Sequence, residues 1–324
     1  MMEPTRPSAS RNWKPFTVFG LLLILLILLL QPSLYAVTMV NYALITVSLA
    51  VSLQLIFGFA GQVSLAHAAF FGIGAYVSAI LSVRYGWPFL LALPAAGLAA
   101  SLVSLLLAPL GRLREHYFAM ATLAFGLITY RFFASWQEIT GGWLGIGNIP
   151  KPSFFGLLPI GSARAFLVLL AAALAVQYVF MNRLTSGRLG RNFRSIRDDE
   201  VAAASLGIPV GRSKMQAVIL GCFWAGLAGS LMAHLNGFIS PEPFSFWYSV
   251  LLALMVVVGG LGSFPGAALG SMGLTLVNEG LKETVLLRPI LYGALIVILM
   301  IYLPEGLAGG YQRLLGRRGR GRGG

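Results

Sequence analysis

Three clusters of residues hold most of the chemistry open to this sequence. The first is an acidic triplet, Asp198-Asp199-Glu200, followed by Val-Ala-Ala-Ala-Ser-Leu, then Gly207, Ile208 and Pro209. Asp198 or Asp199 can cap a helix start, because a short carboxylate accepts from the free N–H groups of the first turn. Its negative charge also suits the positive end of the helix macrodipole. Gly207 suits the left-handed position that ends a helix, and Pro209 prevents continuation. The spacing predicts a short helix over 201–206 with a small outer face of Ala202, Ala203, Ala204 and Ser205. Such a helix of about eight residues is about 12 Å long. It is too short to be stable alone and has the form of a docking element.

The second cluster is Gly58-x-x-Gly61-Gln62-Val-Ser64 with His67 close behind, in an otherwise apolar stretch. Glycines and polar residues interrupt a membrane helix only where backbone groups are buried in protein or line a cavity. Ser64 is placed to cap the helix that follows. Gln62, Ser64 and His67 therefore read either as the lining of a translocation path or as a capped turn with a packed neutral histidine. The third cluster is Gly262, Gly266 and Gly270, spaced four apart with Pro265 among them. Close helix packing is the main reading of that spacing, and a gating hinge is the alternative.

Several kinds of chemistry are missing. The four lysines are followed by Pro, Pro, Met and Glu, so no Gly-Lys-[Ser/Thr] phosphate loop exists. No His-Glu-x-x-His or Gly-x-Ser-x-Gly occurs. His67, His116 and His234 sit in separate segments, and Cys222 is the one cysteine. The expectation is a protein with no catalytic residues, no metal, no cofactor and no disulfide of its own.

The elements that position these clusters follow from composition. Hydrophobic residues make up 57% of the 324, charged residues only 10%, and the mean hydropathy is +0.82. No Asp, Glu, Lys or Arg occurs from 15 to 83, a run of 69 residues. A bilayer crossing needs about 20 apolar residues, so the run holds about three. Membrane β-barrels alternate apolar and polar residues in short segments, which this chain does not do. The fold class is all-α, a polytopic membrane protein of about ten spans. They lie near 16–31, 36–57, 65–83, 89–110, 117–134, 165–181, 215–236, 248–261, 264–278 and 289–303. The break at 58–64 is either a turn or a re-entrant kink, and the second would change the parity before it. No small-x-small cleavage site follows the Leu-rich first span, so it reads as membrane and not as a removable leader.

Charge sets the orientation. The segments 1–15, 111–116 and 182–214 and the C-terminal tail carry 17 of the 23 Lys and Arg. The alternate loops 84–88, 135–164, 237–247 and 279–288 carry five. The positive-inside rule puts both termini in the cytoplasm. The net charge of +13 is thus a topology signal, and no nucleic-acid partner is expected. The expected organisation is an N-terminal tail (1–15), a transmembrane domain (16–308) with a cytoplasmic loop at 182–214, and a basic low-complexity tail (309–324). That tail is either a disordered topology-setting segment or an attractor for anionic lipid headgroups. The loop 135–164, rich in Gly, Pro and aromatics, lies either on lipid or against a docked partner.

The run Arg197-Asp-Asp-Glu-x-Ala-Ala-Ala-x-Leu-Gly-Ile208 resembles the cytoplasmic coupling motif of ATP-binding-cassette (ABC) importer permeases. GFAGQVSLAHAAFFGIGAY at 58–76, YFAMATLAFG at 117–126 and GLAGSLMAHLNGFISP at 226–241 resemble the same family. So do VGGLGSFPGAALG at 258–270 and YLPEGL at 302–307. Together, over about 36–308, they resemble the permease subunits of bacterial branched-chain amino acid importers. The likeness is strongest to the M-type permease of leucine/isoleucine/valine uptake systems. GGWLGI at 141–146 departs from the family's usual Pro-Asn-Gly form, and Glu115-His116 stand where a glycine-like pair is common.

The resemblance implies a multi-pass protein of the bacterial inner membrane that pairs with a second, related permease. It implies two cytoplasmic ATPases below, an extracytoplasmic solute-binding protein above, and ATP hydrolysis on the partners. It assigns ATPase coupling to Asp198, Asp199, Glu200, Ala202, Ala203 and Gly207. Related permeases share these motifs, so urea or short amides stay open as cargo. A stand-alone carrier or channel is the reading from a different class. Such carriers usually keep ionisable groups at mid-membrane, and few occur here.

Overall fold

The structure is a computed structural model that describes residues 33–112, 115–154, 158–159, 161–281, 288–302 and 306–309. The expected first span at 16–31, the segment 1–15 and the tail beyond 309 lie outside the described residues.

The centre of the molecule is α1 (Leu34–Gln54), capped by the Ser33 side chain and buried continuously from Ala43 to Gln54. A helix apolar on every side belongs inside others. α1 continues as a wider π-helical turn, Leu55–Phe59. Two more inner helices, α2 (His67–Arg84) and α8 (Val210–Asn236), complete the core. Around them stand α3 (Phe89–Ser104), α4 (Glu115–Ser135) and α5 (Ala163–Ser186), each exposing apolar side chains along one face. A 3₁₀ segment, Leu105–Arg112, prolongs α3. Two short helices, α6 (Arg188–Asp198) and α7 (Glu200–Ser205), lie between α5 and α8. The chain then forms α9 (Phe246–Gly259), α10 (Phe264–Gly280) and α11 (Arg288–Tyr302). Among the described residues, extended pairing is limited to a two-residue ladder, Ser153–Phe154 with Leu158–Pro159, and an isolated bridge between Ile146 and Ile239.

Nine of the ten expected spans coincide with helices. Among the described residues, six helices are long and apolar enough to cross a membrane. α9 has 14 residues and rises about 21 Å, against a hydrocarbon core of about 30 Å. Its end is fixed by Gly260, whose φ of +107° no side-chain-bearing residue adopts readily. The polytopic all-α architecture stands, with six or more apolar helices among the described residues.

Glycines let the inner helices touch backbone to backbone. A Cβ on Gly74 of α2 would lie 2.2 Å from Gly226 O of α8, and one on Gly229 would lie 2.1 Å from Phe71 O. The small-residue patterns at 58–76 and 226–241 are therefore the two sides of one helix crossing.

The contacts sort the loops into two ends. Tyr42 Oη–H donates to Asn236 Oδ1 (2.6 Å). The Ser78 hydroxyl is 2.7 Å from Ser230 Oγ and 3.0 Å from His234 Nε2. The start of α1, the end of α2 and the end of α8 thus share one end with the loop 136–150. At the other end, Gly58 meets Arg197 and Gln54 meets Gly260. α1 and α2 are antiparallel, so the break at 58–66 is a chain reversal and not a re-entrant kink. The basic segment 183–214 lies at this second end, where Gly111 also approaches Gly211. Among the described residues, the loops 84–88, 136–150 and 237 fall at one end and 111 and 183–214 at the other.

Candidate functional site

The acidic triplet builds the cap that its residue types allow. Asp199 is the N-cap of α7, and its Oδ1 accepts from Val201 N–H (2.9 Å) and Ala202 N–H (3.0 Å). Asp198 is exposed, 3.6 Å from the Arg197 guanidinium. At the far end Gly207 N–H donates to Ala204 O (3.0 Å) and Ile208 N–H to Ala203 O (3.1 Å). This is a Schellman closure, and Gly207 takes the left-handed φ of +79° that it needs.

The outer face differs from the expected one. Ala203 turns inward and is 2% exposed, while Val201 and Leu206 are 80% and 81% exposed. The six-residue helix therefore presents two bulky apolar side chains to solvent, beside Ala202, Ala204 and Ser205. The reason is register. One turn of helix can hide only one side, and Ala203 is the residue on the buried side.

Glu200 is anchored. Its Oε2 accepts from Lys214 Nζ at 2.7 Å, and the Lys214 side chain is only 5% exposed. Removing one partner of a buried charge strands the other, whereas removing both costs less. Glu200→Ala should therefore lower the stability of the detergent-solubilised subunit by about 1–3 kcal/mol. Adding Lys214→Met should restore most of it. Equal melting temperatures for the two single variants and the double variant would contradict this geometry.

α6, just before α7, was not legible in the basic loop. Its arginines at 188, 191, 194 and 197 read as a topology signal, yet Gly190, Phe193 and Ile196 between them are buried. That spacing of three was the available signal. α6 lies as an amphipathic helix along the basic end of the bundle.

Two of the three clusters meet at the last turn of α6. In the π-helical end of α1, Gln62 N–H donates to Ile56 O (3.0 Å). An ordinary α-helix would have directed it to Gly58 O, and that carbonyl is left for another donor. Arg197 Nη1–H supplies it at 2.7 Å across 139 residues of sequence. A charge-assisted bond of this kind contributes about 1.5–3 kcal/mol. The guanidinium also suits the negative end of α1.

Glycines make the slot. A Cβ on Gly61 (φ +69°) would lie 2.9 Å from Arg197 Cγ, and one on Gly262 (φ +82°) would lie 2.8 Å from Arg197 Nη1. Gln54 joins the two breaks from the other side, its Nε2 donating to Gly260 O (2.9 Å) and Ser263 O (3.2 Å). Gly262 is thus a turn residue beside Arg197, outside α10, and not part of a helix-packing stripe. Gly266 and Gly270 do pack closely, but against Gly259 of α9. A Cβ at these positions would lie 2.3 Å from Gly259 O and 2.7 Å from Gly259 Cα.

Gln62, Ser64 and His67 are all buried. Neither amide atom of Gln62 has a hydrogen-bond partner among the described residues. Ser64 does not cap α2, which starts at His67 after Ala66. The N–H of Leu65 donates to Thr122 Oγ1 and that of Ala68 to Ser249 Oγ. The cap is supplied by neighbouring helices because the chain enters α2 two residues later than the Ser64 spacing required. Ser52 Oγ lies 2.8 Å from Leu49 O and 2.7 Å from His67 Nε2. His67 is therefore a packed histidine that ties α2 to α1, with Nδ1 unpartnered among the described residues.

The opposite end is also built. His234 Nδ1–H donates to Pro150 O (2.7 Å), Ile149 N–H to Gly237 O (3.0 Å), and Ile146 and Ile239 exchange two backbone bonds of 2.9 Å. Arg84 reaches the backbone carbonyls of Glu138 and Ile139. The loop after α4 is thereby fixed to the chain's own end, with Trp143 and Leu144 outward.

Comparison with known proteins places this architecture. The family model described as "Branched-chain amino acid transport system / permease component" matches residues 15–304. The high-affinity branched-chain amino acid transport system permease protein LivM of Escherichia coli K12 is 36% identical over 294 residues. The match covers 84% of this chain and 69% of LivM. The corresponding LivH of the same organism is 26% identical over 296 residues, 83% of this chain and 91% of LivH. The autoinducer 2 import system permease protein LsrC of Enterobacter sp. 638 is 31% identical over 150 residues, 43% of this chain and 41% of LsrC. No solved structure matches the chain. With a family match across nearly its whole length and a LivM relative at this identity, the chain belongs to the family of permease components of branched-chain amino acid transport systems.

Proposed function

We propose that this chain is one permease half of an ABC importer and carries branched-chain amino acids inward across the bacterial inner membrane. The single observation that carries the reading is the family match over 15–304. That match and the LivM and LivH relatives favour amino acids over urea or short amides, and an importer subunit over a stand-alone carrier. The relatives are permease components of transport systems, which supports a second permease, two ATPases and a solute-binding protein as partners.

ATP is hydrolysed on the partner ATPases, since this chain has no phosphate-binding loop. α7 is the contact with one of them. Its exposed Val201 and Leu206 enter an apolar groove of the ATPase, and Asp199 and Gly207 hold the helix in shape. Ala202 lies on that contact, and Ala203 is on the buried side of the helix. The basic end faces the cytoplasm with both termini, and 135–164 faces the binding protein. Gln62, Ser64 and His67 lie at the reversal between α1 and α2, placed to feel any movement there. The tails, 1–15 and 309–324, flank a transmembrane unit over 16–308.

Substrate class is tested by competition. Uptake of labelled leucine by the assembled transporter should be suppressed by excess isoleucine and valine, and left unchanged by urea and acetamide. Suppression by urea or acetamide with none by valine would overturn the assignment.

A further inference from the structure

Arg197 occupies an unusual place. It is the last basic residue of α6, two residues before the N-cap of α7. Its side chain is 36% exposed, with Nη2 beside Asp198 Oδ1 (3.6 Å), while Nη1 turns inward to the Gly58 carbonyl. It enters the slot formed by Gly58, Gly61 and Gly262. These belong to two different breaks, one ending α1 and one joining α9 to α10.

We infer that Arg197 is the positioning residue through which movement of α7 reaches the spans. Its guanidinium serves as a clasp on the Gly58 carbonyl and the Gly262 turn. The physical argument has three parts. The π-helical end of α1 leaves the Gly58 carbonyl without its helical N–H, and Arg197 Nη1–H supplies a donor in its place. Only Asp198 separates Arg197 from the N-cap Asp199, so a displacement of α7 passes directly to the backbone that carries the guanidinium. Gly61, Gly260 and Gly262 all have positive φ, in conformations that glycine adopts at little cost. The breaks are therefore able to reorient around a side chain that grips both. Gln54, bonded to Gly260 O and Ser263 O, keeps the two breaks moving together.

This inference rests on the reading of α7 as the ATPase contact, and the experiment separates the two. The complete transporter, with both permeases, ATPases and binding protein, is reconstituted in proteoliposomes. Leucine uptake and ATP hydrolysis are measured together, and the ATPase retained on the purified permease pair is quantified. Arg197→Met keeps the stem against Gly61 and removes the donor. Arg197→Lys keeps the charge and one donor.

For Arg197→Met, ATPase retention should be normal, hydrolysis should persist, and leucine moved per ATP should fall at least fivefold. Arg197→Lys should recover part of that ratio. An unchanged ratio in Arg197→Met, at normal ATPase retention, would overturn the clasp. So would loss of the ATPase from the complex, since Arg197 would then act in docking or folding and not in transmission. Leu206→Asp serves as the control. If it leaves ATPase retention intact, the docking reading of α7 fails, whatever Arg197 does.

Discussion

Gly207→Pro is expected to reduce ATP-driven leucine uptake by at least tenfold while the subunit still inserts in the membrane. Gly207 has φ +79°, and its N–H closes α7 on Ala204 O. Proline cannot adopt that φ and has no N–H, so the closure is lost outright at a cost of about 3 kcal/mol or more. A helix of six residues has no reserve of internal hydrogen bonds against such a loss. Gly207→Ala provides the graded comparison. No atom lies within 4 Å of the added methyl group, so only the left-handed conformation is penalised, by about 1–2 kcal/mol. Its uptake should fall much less. Equal uptake by wild type and Gly207→Pro, at equal membrane levels, would show that the shape of α7 does not matter.

The second large effect concerns the helix crossing. Gly229→Val should remove most of the folded subunit from the membrane. A Cβ at 229 would meet Phe71 O at 2.1 Å and Ala75 N at 2.7 Å, both backbone atoms of α2 that cannot rotate away. Over-packing ordinarily costs about 1–3 kcal/mol, and here relief requires α2 and α8 to separate along their whole contact. Gly273→Ala in α10 is the matched control, since nothing lies within 4 Å of the added methyl. Alanine there gains up to about 1 kcal/mol of helix propensity. Immunoblots of membranes and melting of the solubilised subunit should show loss for the first variant and none for the second. Normal levels of Gly229→Val would mean that the crossing is not as close as the structure has it.

The features legible in the sequence are the ones set by neighbours along the chain. The cap at Asp199 and the stop at Gly207 are local hydrogen-bond problems with local solutions, and both were placed within a residue. Apolar run length located the helices, and charge sorted their loops. The misplaced residues depend on distant partners. Ser64 failed as a cap because Thr122 and Ser249, far along the chain, supply that service. Ala203 turned inward because a single helical turn buries only one side against the rest of the fold. Gly262 carried a spacing that suited helix packing, but it sits in a turn against Arg197. The pairs Glu200–Lys214 and Arg197–Gly58 have no signature in a single sequence, since neither residue type nor spacing predicts contact across a bundle.

The central claim is that this chain provides the path and receives its energy from outside. It is tested most directly by labelled leucine uptake into proteoliposomes holding the permease pair and binding protein, with and without the ATPases. The account predicts concentrative uptake only when the ATPases and ATP are present on the side bearing α7. Concentrative uptake by the permeases alone, driven by an ion gradient, would contradict it.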